Sequence, residues 1–215
     1  GAKIELIKRI PIAAGLAGGS ADAAAVLHGL NRLWGLNLSL SELAKLGAAL
    51  GSDIPFCLYG GTMLATGRGE ILKPLPALPS CPLVLVKPPV AVSTAWAYQN
   101  YRPSAVERRP NIDTMLACLR HADFAGVCGA VGNVLESVTI SAYPEIGIIK
   151  QRLKQLGAPA VLMSGSGPTV FALCHDDRQA ATIATAMAES ELYQVIVTRT
   201  VEKGGGHCDA TFIAN

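Results

Sequence analysis

Polar and apolar residues alternate over Lys3–Leu6, and isoleucine recurs through Ile10 (KIELIKRI), which predicts a strand over Lys3–Ile10. The chain then passes through small residues at Gly15, Ala17, Gly18 and Gly19. From Ala21 to Leu33 the period changes, with Leu27, Leu30 and Leu33 among the apolar positions of a predicted helix. Gly35 supplies its stop. Ser39 and Glu42 have the spacing of a capping box, which predicts a second helix over Glu42–Leu50, closed by Gly51. Ile54-Pro55 reads as a turn. Tyr59–Glu70 reads as a strand between two glycine turns.

The second half begins with Pro82–Pro88 (PLVLVKP), a buried strand by its apolar run. Ser93 or Thr94 caps a helix through Tyr98, and Arg102–Asp113 is a polar, proline-bounded loop. Ile112–Phe124 and Asn133–Val138 are helical in tone. Pro144–Leu156 is an amphipathic helix with Ile146, Ile149, Leu153 and Leu156 on one stripe. Ala160–Met163 and Val170–Leu173 are strands joined by a tight loop, Ser164–Thr169. Asp176–Glu189 is a helix and Tyr193–Arg199 a strand. Strand, helix, strand, loop, strand, helix, strand suits a ferredoxin-like α+β lobe. Pro74, Pro76, Pro79 and Pro82 mark a boundary between two lobes, residues 1–72 and 73–215.

Half of the 215 residues are hydrophobic, ample for a core, and the net charge is only +2. No basic run exceeds Arg108-Arg109, which argues against a nucleic-acid surface. No apolar run is long enough to span a bilayer, and Gly1–Glu5 is not a signal peptide. The six cysteines include no C-x-x-C pair, and Cys118-x-x-His121 has no second pair to complete a zinc set. His207-Cys208-Asp209 likewise lacks further ligands. The thiols read as reduced and buried in a cytoplasmic protein.

The chemistry concentrates in Pro11–Ala25 (PIAAGLAGGSADAAA). A strand, a glycine loop and a helix start direct unpartnered backbone N–H groups, and the positive end of the helix dipole, at an anion. Ser20 either caps the helix or turns its hydroxyl to a phosphate or its Mg²⁺. No Lys follows the glycines, so this is not a Walker A loop, and the dinucleotide G-x-G-x-x-G spacing is absent. A ligand-free strand–helix turn is the structural alternative. Asp53, after Gly51-Ser52, either caps a turn or acts on an acceptor hydroxyl as its general base. The Gly165-Ser166-Gly167 stretch needs no function beyond that of a hairpin loop.

Three stretches together resemble the GHMP small-molecule kinases: Pro11–Ala24, Leu50–Phe56 (LGSDIPF) and Met163–Phe171 (MSGSGPTVF). The resemblance implies the GHMP kinase fold, with an incomplete ribosomal-protein-S5-like N-terminal lobe, a ferredoxin-like C-terminal lobe and an active site between them. It implies transfer of the γ-phosphate of ATP, with Mg²⁺, to a hydroxyl of a small molecule. Pro11, Ile12, Ala13, Ala14, Gly15, Leu16, Ala17, Gly18, Gly19, Ser20 and Ala21 would bind the triphosphate, Lys8 would touch the nucleotide, and Ser20 would help place Mg²⁺. Asp53 carries over as the catalytic aspartate. Thr94, Ser164, Gly165, Ser166 and Gly167 carry over as substrate-lining residues, and Asn133-Val134-Leu135-Glu136 as a structural run. The first two stretches favour a cytidyl-bearing acceptor over mevalonate or homoserine. The family's first motif, with its lysine, is expected to be missing, which leaves nucleotide binding without turnover as a second reading. Exposed sheet edges in an incomplete lobe invite self-association, for example as a homodimer.

Overall fold

The computed structural model describes residues 1–106 and 109–201. The His207-Cys208-Asp209 triplet lies outside them, as does Arg108. The chain falls into two compact units, Gly1–Pro11 with Ala17–Ala77, and Ile12–Leu16 with Leu78–Thr200.

The first unit is built on three helices. Helix α1 (Gly18–Leu33) starts three residues before the predicted position. Ala17 takes a left-handed conformation at φ 49°, and Ala21 N–H makes the first helical bond, to Ala17 O at 2.9 Å. Ser20 is therefore inside the first turn and is not the cap. Helix α2 (Leu40–Leu50) carries the expected capping box: Ser39 Oγ accepts from Glu42 N–H, and the Glu42 carboxylate accepts from Ser39 N–H at 2.8 Å. The Ser39 hydroxyl, which also donates to this carboxylate at 2.6 Å, and then the Ser39 N–H hold the Glu42 carboxyl below its ordinary pKa. Helix α3 (Ile54–Tyr59) occupies what reads in sequence as an Ile-Pro turn, because Pro55 sits in the first helical turn, where its missing N–H costs nothing. Ala24, Leu43, Ala44, Ile54 and Leu58 form the core of the three helices. Gly47 lets α2 and α3 meet, since a Cβ there would lie 2.7 Å from Ile54. Strands β1 (Met63–Thr66) and β2 (Ile71–Pro74) pair as an antiparallel hairpin.

Residues 3–10 are not a strand. Alternation alone does not make one: a strand needs a neighbour for its N–H and C=O groups, and among the described residues none pairs with this stretch.

The second unit is a four-stranded antiparallel sheet: β3 (Pro82–Lys87), β4 (Ala160–Met163), β5 (Val170–Leu173) and β6 (Gln194–Arg199), in the order β4-β5-β3-β6. Between β3 and β4 lie α4 (Thr94–Asn100), α5 (Ile112–Arg120), α6 (Phe124–Ala130), α7 (Glu136–Ala142) and α8 (Pro144–Gln155); α9 (Asp177–Ala188) joins β5 to β6. This is the ferredoxin-like arrangement. Ile146, Ile149 and Leu153 of α8 and Ile183 of α9 pack on Val84, Val86, Met163 and Val170, all nearly or wholly buried. Ile112–Phe124 does not run as one helix. Ala122 turns left-handed at φ 50°, and Asp123 caps α6 by accepting from Gly126 N–H at 2.9 Å. Ser93, not Thr94, caps α4 by accepting from Trp96 N–H.

Candidate active site

The glycine stretch turns three times through left-handed backbone, at Ala13, Gly15 and Ala17. Of these only Gly15 is a glycine, and its neighbours explain it. A Cβ on Gly15 would lie 2.3 Å from Ser164 O and 2.8 Å from Gly167 O. Residues 12–16 are thus locked into the 164–169 turn: Ser164 Oγ donates to Gly15 O at 2.8 Å, and Thr169 N–H donates to Ala14 O at 3.3 Å. Ala14 is buried. Two motifs far apart in sequence meet directly. Pro11 and Leu16 are half-buried, and Ile12 is exposed.

Gly18 and Gly19 are not turn residues; they open α1. The N–H groups of Gly18, Gly19 and Ser20 precede the first helical bond and have no partner in the helix. No acidic residue sits in the first turn. A Cβ on Gly19 would meet nothing within 4 Å, so open space lies over the helix start. On Gly18 a Cβ would press on Ile10 at 2.8 Å and on Lys8 Nζ at 3.0 Å. Lys8 is half-buried beside Gly18 and paired with Asp22, one turn into the helix. Asp22 belongs to the first glycine-rich motif, but its pairing with Lys8 was not read from the sequence. Ala21 follows within the helix.

Asp53 precedes α3 and is exposed. It occupies the cap position, yet its side chain makes no capping bond. Among the described residues its carboxylate has no hydrogen-bond or ion-pair partner, while its backbone carbonyl accepts from Cys57 N–H at 3.1 Å. Its charge, after burial, helps push the neighbouring Cys57 thiol above its ordinary pKa.

The 164–169 turn follows β4 directly, with Ser164 N–H donating to Thr169 O at 2.8 Å and Gly167 N–H donating to Ser164 O at 2.9 Å. Thr94 and Ser166 hydroxyls lie 3.0 Å apart, so two of the five residues expected on the substrate side are brought together. Because Ser93 does the capping, the Thr94 hydroxyl is free to face the turn. A cavity of about 380 Å³ opens beside Ser164 and Gly165, walled by Tyr98, Tyr101, Asn133 and Phe171. Thr169 Oγ1 is the one buried side-chain oxygen or nitrogen among the described residues without a hydrogen-bond partner. The Asn133–Glu136 run, read in sequence as structural, bonds Met163 and Gly165 from 27 or more residues away, partners that the sequence reading did not name.

Among the described residues no three His, Cys, Asp or Glu side chains converge as a metal cage. No described helix is long and apolar enough to cross a membrane.

Family models match in two places: the GHMP kinases N terminal domain over residues 1–61 and the GHMP kinases C terminal domain over residues 130–193. The chain is 57% identical over 179 residues to a 4-diphosphocytidyl-2-C-methyl-D-erythritol kinase of Geobacillus kaustophilus (strain HTA426), covering 83% of this chain and 61% of that protein. It is 58% identical over 173 residues to the kinase of the same name from Bacillus pumilus (strain SAFR-032), covering 80% and 60%. The chain thus spans about three fifths of the length of these curated relatives. A crystal structure of 4-(cytidine 5'-diphospho)-2C-methyl-D-erythritol kinase superposes with a TM-score of 0.76 at 36% identity, covering 93% of this chain and 69% of that one. Homoserine kinase from Cytophaga hutchinsonii shares the fold at TM-score 0.76 and 22% identity, covering 92% and 69%. The chain belongs to the GHMP kinase family.

Proposed function

We propose that the protein transfers the γ-phosphate of ATP to a hydroxyl of 4-diphosphocytidyl-2-C-methyl-D-erythritol, as a cytoplasmic enzyme of the non-mevalonate route to isoprenoid precursors. Identity of 57% across 179 residues to a kinase of that name carries the choice of acceptor. The glycine-opened start of α1 supports nucleotide binding, because unpartnered N–H groups, a helix dipole and open space over Gly19 suit a phosphate chain.

In this reading Pro11–Ala21 cradles the triphosphate, and Lys8, steadied by Asp22, contributes a positive charge at the helix start. Mg²⁺, when bound, neutralises phosphate charge. The Ser20 hydroxyl would hold it from the protein side, a single ligand being enough for an ion that favours phosphate oxygens. Asp53 orients the acceptor hydroxyl and takes its proton; its unpartnered, exposed carboxylate is available for that. Thr94, Ser166 and the backbone of Ser164–Gly167 line the acceptor side. Phosphoryl transfer needs little covalent help, so positioning and charge carry the catalysis. We also take residues 1–72 and 73–215 as the two lobes of the kinase.

Calorimetric titration with Mg-ATP tests the nucleotide half of the reading. Saturable binding that weakens without Mg²⁺ is expected, and its absence would overturn the assignment of the loop.

A further inference from the structure

The 164–169 turn hangs from β4, the outer strand of its sheet. An outer strand ordinarily leaves a row of backbone groups without neighbours. At Met163 that edge is closed by side chains. Glu136 Oε1 accepts from Met163 N–H at 2.9 Å, and Asn133 Nδ2 donates to Met163 O at 2.8 Å. The same Asn133 amide donates to Gly165 O at 2.7 Å, and Thr139 Oγ1 donates to Ser166 O at 3.2 Å. The residues just before and within α7 thus stand in for a missing strand along Met163 and continue around the turn.

Each member is itself fixed. Asn133 Oδ1 accepts from Leu135 N–H at 2.9 Å, which sets the orientation of its amide. Glu136 is paired with Lys150 of α8, and both side chains are mostly buried. Thr139 is fully buried. The turn already has its own internal bonds from Ser164 and Gly167 N–H, so the side-chain contacts add constraint beyond closure. They bear on the carbonyls that flank two left-handed glycines, Gly165 at φ 54° and Gly167 at φ 85°, where the backbone has the most freedom to rearrange.

We propose that Asn133, supported by Glu136 and Lys150, is a positioning residue that holds the 164–167 turn in the shape that receives Gly15 and presents Ser166. The functional importance of this rests on the reading that the turn lines the acceptor site. The physical claim about the turn does not. The Glu136 carboxylate makes a charge-assisted bond to Met163 N–H, stronger than a neutral one, the Asn133 amide adds two neutral bonds to the same stretch, and displacements of about 1 Å at a reacting centre cost up to about 10²-fold in rate.

Residue-resolved amide exchange on the whole chain tests it without any ligand. Asn133→Ala should speed exchange at Ser164 and Gly167 by about tenfold relative to the amides of β3 and β5. Asn133→Asp keeps the size and the acceptor for Leu135 but replaces the donors with an acceptor, and it should loosen the turn at least as much. Glu136→Gln retains an acceptor for Met163 N–H while losing the Lys150 ion pair, so it should shift the same amides by less; it also serves if neither Asn133 variant folds. Turn amides that keep their parental rates, or that speed up only in step with β3 and β5, would overturn the proposal, as would parental behaviour of Asn133→Asp. Mg-ATP titration of the parent chain runs alongside. Failure to bind there sinks the kinase reading and leaves the exchange rates to decide the positioning role.

Discussion

Ser164 Oγ donates to the carbonyl of Gly15 at 2.8 Å, joining the first and third glycine-rich motifs across 149 residues of sequence. The bond sits where the two backbones touch, with no room for even one methyl on Gly15. Gly15→Ala combines a left-handed φ of 72° with a 2.3 Å clash against backbone. It should destabilise the chain by at least about 2 kcal/mol, measured by urea unfolding. Ser164→Ala removes only the hydrogen bond and should cost about 1 kcal/mol. Equal, small losses for both would show that the two loops do not pack as described.

The start of α1 separates structure from ligand binding. Gly19→Val projects a side chain into open space, so thermal stability should change little while Mg-ATP affinity falls at least about tenfold. Gly18→Val meets Ile10 and Lys8 instead, and should lower stability and affinity together. A Gly19→Val chain that bound Mg-ATP like the parent would remove the phosphate from this helix end.

Asp53 has no bond to lose, which makes its replacement unusually clean. Asp53→Asn should leave the melting temperature and Mg-ATP affinity within a few-fold of the parent. It should lower turnover by at least about 10²-fold, the usual contribution of a general base. Full activity in that variant would exclude Asp53 from proton transfer.

What was legible in the sequence was local. The Ser39–Glu42 box is satisfied three residues apart, and the α8 stripe of Ile146, Ile149 and Leu153 needs only a helical period. The order of strands and helices from Pro82 onward was enough for a ferredoxin-like lobe. Lys3–Ile10 misled because a strand is made by its neighbour, which alternation cannot supply. Helix α1 began early because Ala17, rather than a glycine or Ser20, takes the turn before it. Within the site, the glycine motifs and Asp53 stood out by residue type. Asn133 and Glu136 were legible only as part of a structural run; what they hold was not, because their partners are backbone groups of Met163 and Gly165, which leave no mark on the sequence.

Alkaline pH offers a separate check on the second unit. Cys174 is fully buried against the sheet, and burial pushes its thiol up to about 11 from 9.0. The unfolded chain loses that proton first as pH rises, so the unfolded state binds fewer protons between these values. The stabilising contribution is complete below about pH 9 and is lost as pH climbs toward about 11. Cys174→Ala should therefore show a smaller loss of stability than the parent across that window, read from urea midpoints at each pH. An equal loss would mean that the thiol is already accessible in the folded chain.

The most direct test of the account is ATP consumption by this chain with Mg²⁺ and 4-diphosphocytidyl-2-C-methyl-D-erythritol, set against mevalonate and homoserine. ADP formation is expected with the cytidyl acceptor and none above background with the other two. No phosphate transfer to the cytidyl acceptor, or faster transfer to either of the others, would contradict it.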